Sequence, residues 1–160
     1  MEIRPMRADD EPRAVEVSLA AEVLFERAGV LLPPDDPREL FAHADRILVA
    51  VDAGIVTGLA ATVPLDGGVH LEQLSVHPDH GRLGIGSALL EEVCAGAAVG
   101  GSPRVTLTTF RDLPWNGPWY TARGFSVLPE EEWGEGMRAV WADEEPIRVR
   151  PRVAMARPTG

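Results

Sequence analysis

The chain has 160 residues, 45% of them hydrophobic, with a single cysteine and a formal charge of -10. Those figures fit one domain able to bury roughly 70% of its unfolded surface. They speak against nucleic acid, which needs a basic partner, and against a disulfide or cysteine metal cluster, because Cys94 stands alone. No apolar run reaches the roughly 18 residues of a membrane span, and the segment Met1 to Arg13 lacks a signal-peptide core. A cytoplasmic protein is therefore expected. An acidic surface would suit a cationic amine, although solubility alone explains it more simply.

In chain order, Glu2–Met6 is a short strand. Asp9 and Asp10 offer cap oxygens to a helix in which Val15, Leu19, Val23 and Leu24 recur at helical spacing, and Gly29 stops it. Leu31–Pro37 holds three prolines and reads as a loop, followed by a short helix over Pro37–Ala44. Arg46–Asp52 and Ile55–Pro64 are strands joined at Ala53-Gly54, and Asp66-Gly67-Gly68 turns the chain into a third strand, Val69–Val76. Gly84–Val99 is a helix whose Ile85, Leu89, Val93 and Ala97 face the sheet while Glu91 and Glu92 face solvent. Arg104–Phe110 alternates and is rich in β-branched residues, as a strand requires. A helix over Asn116–Arg123, a strand over Phe125–Leu128, a helix over Trp133–Ala142 and a closing strand over Arg150–Arg157 complete the chain. The fold class is α/β: one domain over residues 1–160, with a mixed, mostly antiparallel sheet of about seven strands and flanking helices.

The stretch Leu71 to Leu90 carries the most chemistry. A strand runs into a turn at Pro78, then a loop with Gly81, Gly84 and Gly86, then a helix. The first turn of a helix has unpaired N–H groups and a dipole that favours negative charge, so this arrangement can hold an anion. Rossmann spacing is absent, because Gly84-Ile85-Gly86 is followed by Ala88 and Leu89 and preceded by hairpin strands. His77 and His80 flank Pro78 without a metal-ligand set, and Cys94 lies among apolar neighbours as a buried thiol would.

Two signatures together resemble the GNAT superfamily of acyl-CoA-dependent N-acetyltransferases. One is Leu74-Ser75-Val76-His77-Pro78-Asp79-His80-Gly81-Arg82-Leu83-Gly84-Ile85-Gly86-Ser87-Ala88-Leu89-Leu90, similar to the family's acetyl-CoA motif. The other is Asn116-Gly117-Pro118-Trp119-Tyr120-Thr121-Ala122-Arg123-Gly124-Phe125, similar to its later motif, a helix with a Tyr that ends in Gly-Phe. The sequence departs from the first at Gly81, where a Gln or Arg is usual; Arg82 follows it. In the second, the family's Asn position is occupied by Leu113, and Asn116 stands nearer the Tyr.

The resemblance implies an acetyl-CoA donor and no metal. The pyrophosphate would lie on Gly81, Arg82, Leu83, Gly84, Ile85, Gly86 and Ser87, with Asn116 as a further contact. The pantetheine arm would add to the edge of Leu74, Ser75 and Val76, where that strand splays from its parallel neighbour. A protonated alkylamine must lose a proton before it attacks, and relatives with a carboxylate on this strand point to Glu72 as the base. Strict alternation puts Glu72 on the face of Leu74 and Val76, with His70 as an alternative base. Tyr120, the chain's single tyrosine, would serve the leaving thiolate. The acceptor is expected to be a small-molecule or peptide amine, read by Val30–Asp36 and residues near Trp115 and Trp133. A non-catalytic acyl-CoA sensor of the same fold, and a homodimer, stay open.

Overall fold

The hairpin chemistry of the middle third builds the sheet. Ala53 and Asp66, with φ of 50° each, and Gly54 and Gly67, with φ of 78° and 79°, form two left-handed turns. Such turns match the twist of antiparallel strands. They link β2 (Arg46–Asp52), β3 (Ile55–Leu65) and β4 (Gly68–Val76) into a meander, with β1 (Glu2–Pro5) antiparallel to β2 at its edge. The computed structural model describes residues 1–160. Its remaining strands are β5 (Arg104–Phe110), β6 (Ser126–Val127) and β7 (Arg152–Pro158), and the seven-stranded order is β1-β2-β3-β4-β5-β7-β6. Only β4 and β5 run parallel. The last strand does not close the sheet at an edge: β7 inserts between β5 and the two-residue β6, which is shorter than the sequence pattern predicts.

Helix α3 (Ile85–Val99) covers one face. Its Ile85, Leu89, Leu90, Val93 and Ala97 pack on Leu48, Ala60, Leu71, Val105, Leu107 and Met155. Each such side chain is worth about 1.5–3 kcal/mol when fully buried. The other face is covered by α1 (Glu11–Arg27), which sets Ala14 and Val17 on Val49, Val56 and Leu59. The inward stripe of α1 is thus Ala14, Val15, Val17 and Ser18, while Leu19 stays exposed. Asp10 precedes α1 but caps nothing there; its carboxylate accepts from the backbone of Arg7 and from the Arg4 guanidinium. Helices α2 (Pro37–His43), α4 (Gly117–Thr121) and α5 (Glu135–Asp143) complete the layers.

The predicted helix at Trp133 starts two residues later, after a 3₁₀ turn over Glu130–Glu132. Its cap comes from far along the chain. Asp66, in the β3–β4 turn, accepts from the N–H groups of Gly136 (2.8 Å) and Met137 (2.9 Å). Asp66→Ala removes both acceptors from a helix N-terminus. The expected cost is about 1 kcal/mol, read as a lower urea midpoint at unchanged slope; an unchanged midpoint would remove this cap from the account.

Candidate active site

The site begins where β4 and β5 part. They pair only at Val69–Val105 and His70–Thr106. Immediately beyond, β4 carries a bulge: Ala61 opposes Gln73 and Thr62 opposes Leu71, so Glu72 is the extra residue. A bulge bends and twists its strand, and here it swings Leu74, Ser75 and Val76 away from β5. The facing edges of both strands are left open along a cleft of about 990 Å³. Leu74, Ser75 and Val76 therefore have no partner on the β5 side.

The bulge also corrects the alternation argument. Leu71, Leu74 and Val76 pack on the α3 face, whereas Gln73 turns the other way, donating to Ser18 on α1 and to Ser75. Glu72 follows Gln73, not Leu74. Its carboxylate reaches across to His43 of α2, accepting from Nε2 at 2.8 Å. His43 Nδ1 meets the Glu39 carbonyl at 2.9 Å. With an acceptor at each nitrogen the imidazolium is favoured: the Glu72 bond raises the His43 pKa most, burial lowers it in part, and the Glu39 carbonyl raises it further. Glu72 nonetheless lines the cleft.

His70 is unsuited to the role of base. It is buried, its Nδ1 bonds Thr106 Oγ1 at 2.9 Å, and burial pushes its pKa down to about 4. It lies outside the cleft lining. Glu22 of α1, unmarked in the sequence, does line the cleft; burial raises its pKa, helped by Asp35 and Glu26.

At the C-terminal end of β4 the chain forms a 3₁₀ turn, Pro78–His80, capped by His77, whose Nδ1 accepts from the Asp79 N–H. Arg82 (φ 65°) and Gly84 (φ 79°) then both take left-handed backbone, and Gly84 is the N-cap of α3. A left-handed arginine costs of order 1 kcal/mol, and such outliers gather at ligand sites. None of the N–H groups from Arg82 through Ser87 donates a hydrogen bond within the protein. This row of free donors at a helix N-terminus is an anion cradle. Gly84 has open space where a side chain would stand. At Gly86 that space is taken by Trp119, whose ring lies 3.4 Å from the Cβ position, so this glycine serves packing and not close ligand approach.

Trp119 belongs to α4, the short helix after Asn116. The Arg123 guanidinium stacks 3.8 Å from the Trp119 ring centroid and donates to Ser87 Oγ at 2.8 Å. A cation is thereby fixed at the first turn of α3, a contact that sequence spacing did not reveal. Gly124 (φ 91°) turns the chain back so that Phe125 packs on Tyr120. Tyr120 is 8% exposed and edge-on to Trp119, and it lines the cleft. Burial raises its pKa far above that of a free phenol, and its hydroxyl turns to the cleft with no partner among the side chains. Asn116 caps α4; its Nδ2 donates to the Trp115 carbonyl at 3.1 Å, and its Oδ1 is a buried acceptor with no partner.

Leu32 and Trp115 line the cleft as expected of the acceptor side, but Trp133 does not; it packs on Trp141 beneath α5. Arg152 of β7, which the sequence did not single out, lies in the cleft wall. No group of three or more His, Cys, Asp or Glu side chains is arranged to hold a metal, and no helix is long and apolar enough to cross a membrane.

An open strand edge, a row of free backbone amides and a buried phenol meet at one cleft. A family model, the acetyltransferase (GNAT) domain, matches residues 43–127, just over half of the chain. The chain belongs to the GNAT acetyltransferase family and is an acyltransferase. Its fold is that of an acetyltransferase of the GNAT family from Staphylococcus aureus Mu50, at 15% identity, TM-score 0.77 and 99% coverage of both chains. N-acetylglutamate synthase from Neisseria gonorrhoeae, complexed with coenzyme A and N-acetyl-glutamate, aligns at 20% identity and TM-score 0.77 over 99% of this chain. This chain spans only 35% of the synthase. The PaiA N-acetyltransferase from Thermoplasma acidophilum, in complex with coenzyme A, aligns at 16% identity and TM-score 0.71 over 98% of each chain.

Proposed function

We propose that this chain moves an acetyl group from acetyl-CoA to an amine by direct attack in a ternary complex. The observation that carries the reading is the row of free amides from Arg82 to Ser87 next to the unpaired edge of Leu74–Val76. The amides, with the cation of Arg123, would hold the phosphate end of the donor, while the open Oδ1 of Asn116 would accept from one of its N–H or O–H groups. The strand edge would take the amides of the pantetheine arm and polarise the thioester carbonyl. Three of the relatives named above carry acetyltransferase or synthase activity by name, and two were solved with coenzyme A.

The amine must arrive, or become, neutral. Glu72 is the cleft-side member of a carboxylate–imidazole pair, and its proposed role is to accept the proton, directly or through water. The nitrogen then attacks the thioester carbon and sheds its second proton to water, the tetrahedral intermediate collapses, and the C–S bond breaks to release CoA thiolate. Tyr120, kept protonated by its raised pKa, gives the departing thiolate a proton and regains one from the water of the cleft.

Two measurements test this. Acetyl-CoA at about ten times its Kd should stabilise the protein by about 1.4 kcal/mol, a Tm rise of about 3–6 °C for a domain of this size. An amine panel should then release free CoA thiol. No thermal shift in millimolar acetyl-CoA would remove the donor site; a shift with no thiol release from any amine would favour a sensor that binds without turnover.

A further inference from the structure

Arg152 is a buried cation that the protein leaves half satisfied. Its side chain is 8% exposed, yet its only hydrogen bond is a long one, from Nη2 to Thr108 Oγ1 at 3.3 Å. Nε is fully buried without a partner, and Nη1 has none in the protein. The nearest carboxylate, Glu144, stands 3.6 Å from Nη2, beyond hydrogen-bond distance. Glu144 is engaged elsewhere: its Oε2 accepts from Thr108 at 2.7 Å, while Oε1 is buried and unpartnered. A guanidinium has five donors, and leaving most of them dry is costly unless something completes them.

The position makes the completing group a ligand. Arg152 pairs with Phe110 at the end of β5, with its guanidinium carbon 4.5 Å from the Phe110 ring centroid. Both residues line the cleft. Arg152 projects from the same sheet face as Ala154, which packs against α5 and away from α3. That is the face toward which Glu72 and Gln73 turn, and it is opposite to the α3 face. An amine whose nitrogen approaches the thioester between β4 and β5 from this side would extend its remainder toward Arg152.

The local charge narrows the chemistry. Arg148 lies close enough to disfavour charge on Arg152, and Glu144 close enough to favour it. These two influences oppose each other, so the guanidinium keeps its own single positive charge at the cleft wall. That balance suits a monoanion better than a phosphate dianion. The planar fork of arginine matches a carboxylate through two parallel N–H bonds. The apolar wall beside it, Phe25, Leu32, Phe110 and Trp115, suits a hydrocarbon portion between the amine and the anion.

We infer that the acceptor is an amino-carboxylate, its amine directed to the thioester and its carboxylate bound by Arg152. This rests on the acetyl-transfer reading above and names the substrate class of the same site.

The test compares kcat/KM, by thiol release at saturating acetyl-CoA, for the standard amino acids and β-alanine, each against its own carboxamide, with phosphoethanolamine alongside. At least one acid is expected to exceed its amide by about 30-fold, the worth of a charge-assisted pair. Arg152→Gln should bring that acid down to the level of its amide, with acetyl-CoA binding retained. Arg152→Lys, which keeps charge without the fork, should recover only part of the loss. If amides turn over as well as acids in every pair, or phosphoethanolamine outruns them all, the inference is wrong and acetyl transfer still stands. If no amine at all is acetylated, the acetyl-transfer reading falls and this one with it. The comparison of acids with amides uses the unaltered protein, so a poorly folding variant does not decide it.

Discussion

Tyr120→Phe is expected to lower kcat about 100-fold, or about 2.7 kcal/mol of transition-state stabilisation, within the range of a single proton-transfer catalyst. The KM for acetyl-CoA and the Tm should barely move. Both halves follow from the same geometry. The phenol is buried between Trp119 and Phe125, so the ring is fixed by packing that phenylalanine reproduces. Its hydroxyl opens on the cleft and bonds no other residue, so its removal orphans no partner. A structural tyrosine of this burial would normally have its O–H paired; this one is held unpaired at the wall of the cleft. Because burial raises the pKa of Tyr120, wild-type activity should show no fall from phenol ionisation up to about pH 10, the ordinary phenol value. Kinetics across pH on both proteins provide the check, with circular dichroism melts as the folding control. A kcat for Tyr120→Phe within twofold of wild type would take the phenol out of the reaction and leave the thiolate to depart unaided.

What the sequence reveals, and what it hides, divides along a physical line. Local signals carried the meander and the cradle: left-handed turns need Gly or Asp at fixed places, and Gly84 with an apolar helical stripe behind it announces a helix N-terminus. The open edge at Leu74–Val76 was legible only through family resemblance, because nothing in those residues says that β5 will pair with β4 at just two positions. The orientation of Glu72 was misread for a definite reason. Side-chain alternation assumes an unbroken ladder, and the bulge at Glu72 breaks it, carrying the carboxylate to His43. The strand order was hidden because β7 enters between β5 and β6 by a long-range pairing that no local pattern records. That insertion is also what brings Arg152 to the cleft. An arginine in an alternating strand reads as solvent-facing, and only the docking of α5 with Glu144 buries it. Arg123 was hidden for the same reason: its partner Ser87 lies on another helix.

Acidification should unfold this protein earlier than its carboxylates alone would predict, through His70. Inside the β4–β5 junction the imidazole is 2% exposed, and burial holds its pKa at about 4 against an ordinary 6.5, although Glu72 and Asp66 pull the other way. Between those two values the unfolded chain binds a proton that the native protein refuses. The stability tied to neutral His70 is therefore complete above pH 6.5 and is lost as pH falls toward 4. The shift corresponds to about 3 kcal/mol, a large share of the roughly 5–15 kcal/mol that a domain holds in reserve. Other groups titrate differently. Asp10, whose pKa its bond to Arg4 lowers, gives up its contribution only below its unfolded value of 3.8. Glu22 has a raised pKa and opposes the trend in the acid range, and the raised pKa of His43 favours the folded state as pH drops through neutrality. A difference measurement separates them. Urea unfolding of the wild type and of His70→Gln, followed from about pH 7 to pH 4, should give ΔG curves that converge on acidification, because the variant lacks the titrating group while Asp10, Glu22 and His43 cancel. The glutamine amide can still reach toward Thr106 Oγ1, the present partner of His70 Nδ1. Curves that stay parallel would mean that the imidazole accepts its proton in place, with Glu72 and Asp66 outweighing its burial.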